Sequence, residues 1–442
     1  MTVPDKSKNE EPKRNPAFIR EKIVKKPVSL KERIYRVVSL VLLAALLGAA
    51  AAASFVLVRF RMEQVLYPSE PEEQVVIPKD TDPRETEAPV AETESAAQTE
   101  TETSSEDLDE LIQSAVNEKK LEIEDYKRLS ALAANVWKEA QRSFVTVTAV
   151  RQQVDVFDNV YENEGQTSGI ILEMSSRNVL ILTRYDEIQD TDELEVTFIN
   201  GIKAQAEIRA TDSQTGIAVL DVAVSQLGEA NLELITPITL GNSYALSVGS
   251  PVIAAGDPYG IVGSMSAGSV VYVGTESHGA DTDIRIVYTN LGLPADAGGF
   301  LLNMDGEVIG IFTEAYSSSD GSLTPAVGIS NIKGIIEHLC NGRSIAYMGI
   351  EGQAVTSEIS ENYDLPIGVY VTEAVTGSPA YQAGIQSGDV ITRLGETSVS
   401  SMRDIHEALL LLEPGTEIQV TVSRNGMEGS RELTFTIQLE SR

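Results

Sequence analysis

The hydrophobic period of this chain changes at Ser143, and that change limits the folds open to the residues beyond it. Phe144-Val145-Thr146-Val147-Thr148-Ala149-Val150 alternates apolar and polar side chains. A period of two matches a strand, whose successive side chains point to opposite faces. Gly169-Ile170-Ile171-Leu172, Asn178-Val179-Leu180-Ile181-Leu182-Thr183 and Leu194-Glu195-Val196-Thr197-Phe198-Ile199 also read as strands. Turn residues separate them, and Asn200-Gly201 and Asp305-Gly306 are strong hairpin dipeptides. Many short strands in succession predict a mainly β barrel or sandwich over residues 143–341. The first helical pattern inside that span comes at residues 332–339.

A second, α+β pattern comes next. Gly368-Val369-Tyr370-Val371 reads as a strand and Ser378-Pro379-Ala380-Tyr381-Gln382-Ala383-Gly384-Ile385 as a short helix. A turn at Gly388-Asp389 leads into another strand, residues 402–412 form a helix, and two strands flank Asn425-Gly426.

Upstream, residues 37–58 contain no charged side chain. That length spans a hydrocarbon core of about 30 Å as a helix. Lys22, Lys25, Lys26, Lys31, Arg33 and Arg36 precede it, and such a flank keeps the N-terminus cytoplasmic. The reading is a basic cytoplasmic tail (1–36), one transmembrane helix (37–58) and an extracytoplasmic remainder. A cleaved signal peptide is the competing reading, since Ala51-Ala52-Ala53-Ser54 offers small residues. Residues 59–106 read as an acidic, disordered linker, too rich in Glu, Thr, Ser and Pro to bury a core. Its large apolar residues beyond Ser69 are Val75, Val76, Ile77 and Val90. Residues 107–142 read as helical, with Leu129, Leu132, Ala133 and Val136 at three- and four-residue steps. Trp137 in that stretch packs on the next domain or serves oligomer contacts.

Composition excludes several functions. The 442 residues carry a net charge of −32, the opposite of the basic face that nucleic acid requires. Residues 1–36 carry +6 and the remainder −38. The single cysteine, Cys340, excludes an internal disulfide framework and a Cys-rich zinc site, and reads as a small buried hydrophobe. No metal-ligand spacing stands out, and no cofactor is expected.

Pro294-Ala295-Asp296-Ala297-Gly298-Gly299-Phe300-Leu301, followed by Asn303-Met304-Asp305-Gly306-Glu307-Val308-Ile309-Gly310-Ile311, resembles one known loop and hairpin. It is the nucleophile loop of the HtrA/DegP family of trypsin-like serine proteases, which reads P-G-N-S-G-G-P-L before D-G-x-V-I-G-I. Thr167-Ser168-Gly169-Ile170-Ile171, Leu180-Ile181-Leu182-Thr183, Gly249 to Gly260 and Ser266-Ala267-Gly268-Ser269-Val270 match other family segments in order. The resemblance implies a trypsin-like double β-barrel over 143–341.

It also marks the places where catalysis would sit. The chemistry needs a hydroxyl, an imidazole to deprotonate it and a carboxylate to hold the imidazole. The family's serine slot holds Ala297. Its histidine slot, in Leu182-Thr183-Arg184-Tyr185-Asp186-Glu187, holds Asp186. Its aspartate slot, in Thr215-Gly216-Ile217-Ala218-Val219-Leu220, holds Gly216. The oxyanion loop is Ala295-Asp296-Ala297, with Ala295 where the family has glycine. The remaining histidines, His278, His338 and His406, come after no comparable strand. Asp186 with Asp296 as an aspartic dyad lacks the paired loops that chemistry needs.

Residues 347–440 resemble a PDZ domain, with the signature S-P-A-x-x-A-G-I-x-x-G-D-x-I at Ser378 to Ile391. Tyr347-Met348-Gly349-Ile350 resembles the loop whose amides capture a peptide's terminal carboxylate. Leu409 and Leu410 line the side-chain pocket or belong to the core. The expectation is a membrane-anchored, HtrA-like pseudoprotease that binds C-termini or unfolded segments. The alternative is an active HtrA-type serine endopeptidase. HtrA proteins are often trimers, but no residue here makes a homotrimer legible.

Overall fold

The alternating run at Phe144 becomes the middle of a sheet. Strand β1 (Phe144–Val154) pairs antiparallel with β2 (Val160–Met174) and, on its other side, with β4 (Glu193–Phe198). β2 pairs with β3 (Asn178–Arg184). β5 (Lys203–Gln205), β6 (Glu207–Asp212) and β7 (Ile217–Ala223) complete seven strands in the order β5-β4-β1-β2-β3-β7-β6. The ladder itself does not close. The side chain of Gln226, just past β7, instead accepts from the Gln205 N–H at 2.9 Å and donates to its carbonyl at 3.0 Å.

A second set of strands does close. β8 (Pro251–Gly256), β9 (Ser264–Glu276), β10 (Ile284–Thr289), β11 (Phe300–Leu302), β12 (Val308–Phe312) and β13 (Ala326–Gly328) form a barrel in the order β10-β13-β12-β11-β8-β9. Alternation sorts side chains between cores. In the first sheet Val145, Val147, Ile171 and Ile181 face one cluster, while Phe144, Ile170, Leu180 and Leu182 face another. That second cluster also takes Ile253, Ile286 and Phe300 from the barrel strands, so it joins the two halves.

The computed structural model describes residues 74–82, 123–154, 160–276, 279–294, 297–313, 325–426 and 429–442. All belong to one unit, Glu73–Arg442. Residues 1–36 and the apolar run 37–58 lie outside the described residues, and among those described no helix is long and apolar enough to cross a membrane.

Helix α1 (Ile123–Ala140) lies within the stretch expected to be helical. Its buried stripe is Ala133, Trp137 and Ala140, at helical spacing, whereas Leu129 and Leu132 stay exposed. Trp137 packs edge-on to Phe144 at 4.8 Å, and Phe144 edge-on to Phe300 at 5.8 Å, so three rings link the helix to both halves. A short α2 (Glu229–Leu232) lies between β7 and the barrel. Helix α3 (Ile329–Cys340) inserts Ile332, Ile335, Ile336 and Leu339 into the joint core.

Part of the expected linker is placed, contrary to a wholly disordered reading. Val75 exchanges hydrogen bonds with the Asn341 side chain at 3.0 and 2.8 Å. Asp80 pairs with Lys333 of α3 at 2.8 Å and accepts from the Ser330 hydroxyl at 2.6 Å. The apolar Val75 and Ile77 pack on the joint core, which supplies the burial that the rest of that acidic stretch lacks.

After α3 the chain enters the second domain. β15 (Ile350–Val355), β16 (Gly368–Ala374), β17 (Asp389–Leu394), β19 (Glu417–Gly426) and β20 (Gly429–Gln438) form its sheet, with β18 (Thr397–Ser398) beside β17. β14 (Ala346–Tyr347) pairs with β21 (Glu440–Ser441). Three helices, α4 (Ser357–Tyr363), α5 (Pro379–Ala383) and α6 (Met402–Leu410), complete it. The Ser-Pro pair starts α5 as its chemistry requires: Ser378 caps the Tyr381 N–H and Pro379 takes the first turn. A reciprocal capping box between Ser401 and Asp404 starts α6.

Candidate functional site

Two places bring together residues singled out in the sequence. The first lies where β3, β7 and the 297–299 segment meet. Arg184 ends β3, opposite Ile217 of β7. The next residue, Tyr185, donates its N–H to the Gly216 carbonyl at 2.9 Å. Gly216 has φ +71°, in the left-handed region open to glycine without a Cβ penalty. Asp186 turns its carboxylate back onto the Arg184 guanidinium, with Nε to Oδ1 at 3.1 Å and a second bond from Nη2. The Arg184 Nη1 group donates to the Ala297 carbonyl at 3.3 Å. Thus Asp186 and Ala297 meet through Arg184, which the sequence did not single out, and Gly216 adjoins them through Tyr185.

The cluster is charged, and its guanidinium is buried. Only 2% of the Arg184 side chain is exposed. Burial opposes its charge, but the hydrogen bond and charge of Asp186 outweigh burial and raise its pKa. Glu187, 3.7 Å from Arg184, has its carboxyl pushed up by burial. Asp257 is also pushed up by burial, and it accepts from the Thr167 hydroxyl at 3.1 Å beneath the loop. A Cβ on Gly298 would stand 2.4 Å from the Asp257 carboxylate, so a larger residue there would have to displace that group.

Ala297 is 2% exposed, and its N–H donates to the Pro294 carbonyl at 3.1 Å. Ala295, Asp296 and His278 lie outside the described residues. His338 meets the Leu410 carbonyl at 2.7 Å, and His406 is buried on α6. Neither joins the Arg184 cluster. An arginine stays protonated and only donates, so the group beside Ala297 anchors a carbonyl or carboxylate and does not accept a proton. Among the described residues no cluster of His, Cys, Asp or Glu is arranged to hold a metal.

The second place is the segment Tyr347-Met348-Gly349-Ile350. Gly349 has φ +86°, and a Cβ there would lie 2.2 Å from the Ser378 Cβ, so glycine is required twice over. The turn aims three successive N–H groups at one point, a nest for an anion. The Asp281 carboxylate fills it: Oδ2 accepts from Met348 at 2.7 Å and Gly349 at 2.8 Å, and Oδ1 accepts from Ile350 at 2.9 Å. Asp281 is 1% exposed. Burial pushes its carboxyl up, against the pull of the three N–H groups. Leu409 and Leu410 are both buried; Leu409 lies in the core of this domain and Leu410 in the joint core. Sequence reading missed Asp281, whose partner loop lies 67 residues downstream.

Residues 167–311 match the family described as trypsin-like peptidase domain, and residues 346–439 match the PDZ domain family. The Do-like serine protease HtrA of Lactococcus lactis subsp. cremoris is 30% identical over 282 residues, covering 59% of this chain and 68% of that protein. The chain belongs to the HtrA family. An HtrA relative of Chlamydia muridarum, a probable periplasmic serine endoprotease DegP-like, is 30% identical over 259 residues, 57% of this chain and 50% of that one. The chain spans about half the length of the first such relatives, 50% to 57%. A solved HtrA-type protease, AlgW with decapeptide, shares the fold at TM-score 0.50 and 22% identity, over 70% of this chain and 98% of its own.

Proposed function

We propose that this HtrA-family chain is a membrane-anchored, extracytoplasmic pseudoprotease that binds peptides or unfolded segments through its PDZ domain and does not cut them. One observation carries the reading: Arg184, buried and paired with Asp186, holds the Ala297 carbonyl at the place where the family resemblance puts serine and histidine. A methyl has no lone pair to attack a carbonyl, and a guanidinium takes no proton from a nucleophile. The Ala297 N–H is spent on Pro294 rather than left for an oxyanion.

The rest of the reading comes from sequence and kinship. The apolar run 37–58 anchors the chain, and the names of several relatives place them in the periplasm. The PDZ domain supplies an anion nest and an edge strand, the two parts that strand addition uses. Roles in envelope quality control, scaffolding or sensing of exposed termini fit that surface. A homotrimer, suggested by the resemblance, is tested by light scattering of the full chain in detergent.

The relatives' names favour a second reading, an active serine endopeptidase. Fluorescently labelled casein separates the two. The full chain in detergent leaves it intact over many hours under the first reading; steady release of fragments supports the second.

A further inference from the structure

We propose that Asp281 is an internal ligand of the carboxylate nest at Met348–Ile350, so that another protein's C-terminus binds only when the segment carrying Asp281 swings away. The inference rests on the peptide-binding reading and deepens it. A terminal carboxylate would take the three N–H groups that the Asp281 side chain already holds. The likeness continues one step further. The Asp281 N–H donates to the Ile350 carbonyl at 2.7 Å, which is the first rung of a strand added to β15. Among the described strands β15 pairs with β16. Met402 and Ile405 of α6 and Ile350 of β15 share one core, which places the helix beside that strand.

Two side-chain bonds flank Asp281 in the segment. Gln214 donates to the Ala280 carbonyl at 2.8 Å, and Asn331 to the Asp283 carbonyl at 3.1 Å. Asp281 sits at φ +65°, a conformation that L side chains other than Asn and Asp rarely take. A carboxylate tethered in the same chain has an effective concentration in the millimolar range, enough to compete with an incoming end. If the nest is open a tenth of the time, apparent peptide affinity falls about tenfold.

The test uses the full chain in detergent, with Asp281→Asn, which keeps side-chain volume, and Asp281→Ala. The probes are fluorescein-labelled degenerate decapeptide pools ending in Val, Leu or Phe, as free acids and as C-terminal amides. The expected result is at least about tenfold tighter binding of the free-acid pool by both variants, with no gain for the amides. Amide exchange at residues 348–350 rises in the variants. In the parent chain, saturating free-acid pool deprotects residues 279–283, a readout independent of any variant's folding. Equal affinities in parent and variants, or unchanged exchange at 348–350, overturn the internal ligand while leaving peptide binding standing. No binding by parent or variants, with exchange raised, overturns the peptide-binding reading and the gate with it.

Discussion

Asp212 on β6 receives both guanidinium arms of Arg442, at 2.7 Å each, across 230 residues of sequence. Both side chains are almost wholly buried, 1% and 4% exposed. The Thr215 hydroxyl adds a further bond to the same carboxylate. The pair ties the end of the PDZ domain to the sheet that carries Gly216, four residues beyond Asp212.

Cutting one member of this pair leaves a buried charge alone. Arg442→Met is expected to cost roughly 3–5 kcal/mol in urea unfolding, and Asp212→Leu with Arg442→Met together much less. Burial tends to raise the Asp212 carboxyl, but Arg442 and Thr215 pull it below its ordinary value of 3.8. The unfolded chain therefore takes up this proton first, and the contribution is lost as pH falls below about 3.8 toward the lowered value.

Under the pseudoprotease reading, placing a hydroxyl at position 297 is not expected to produce cleavage by itself. Ala297→Ser gains a nucleophile but no base, because its neighbour is the Arg184–Asp186 pair. Casein remains intact with this variant, measured over the same hours as the parent chain. Rapid fragmentation by the single variant would mean that some other group accepts the proton.

Asp186→Ala removes the two-bond carboxylate partner of a buried guanidinium. A loss of roughly 3 kcal/mol in unfolding free energy is expected. If Asp186 instead served only as a solvated surface group, the loss would stay under about 0.5 kcal/mol.

His406 makes stability depend on pH. Burial first, then the charge of Arg442, drives its pKa down to about 3. Between pH 6.5 and about 3 the unfolded chain binds a proton that the folded chain refuses, so stability falls as pH falls. The slope from this group is about 1.4 kcal/mol per pH unit at most. Asp283, pushed up by burial to about 6, acts with opposite sign between pH 3.8 and 6. The measurement is therefore a difference: denaturant unfolding of the parent against His406→Leu from pH 7 to 4. The gap narrows or reverses in favour of the variant as pH drops.

Cys340 is fully buried, and burial pushes its thiol up to about 12. Iodoacetamide at pH 8 leaves the folded chain unmodified and labels it in urea, as intact mass reports. Labelling of the folded chain at a rate typical of a free thiol would contradict this placement.

Much of the fold was legible because burial leaves a period. The alternation in β1, the continuous apolar run of β3, the helix around residues 332–339 and the Ser-Pro start of α5 all carry local signals. β2 runs longer than its apolar core, because its N-terminal part pairs through Glu162, Glu164 and Gln166, which alternate with no hydrophobic mark. The site was legible only as slots in a motif. Arg184 was in view, yet nothing local showed that its guanidinium would turn toward Ala297. The Asp281 nest and the Asp212–Arg442 pair join residues 67 and 230 positions apart, and such pairings leave no trace in periodicity. Residues 74–82 escaped because their acidic surroundings hide a short apolar segment that docks on α3.

The most direct measurement is the intact mass of the full chain after prolonged exposure to a fluorophosphonate, which marks any serine activated by a neighbouring base. A mass unchanged at every concentration, with the casein left whole, is the predicted result. A stoichiometric adduct on a serine within residues 143–341 would show an active nucleophile and contradict the account.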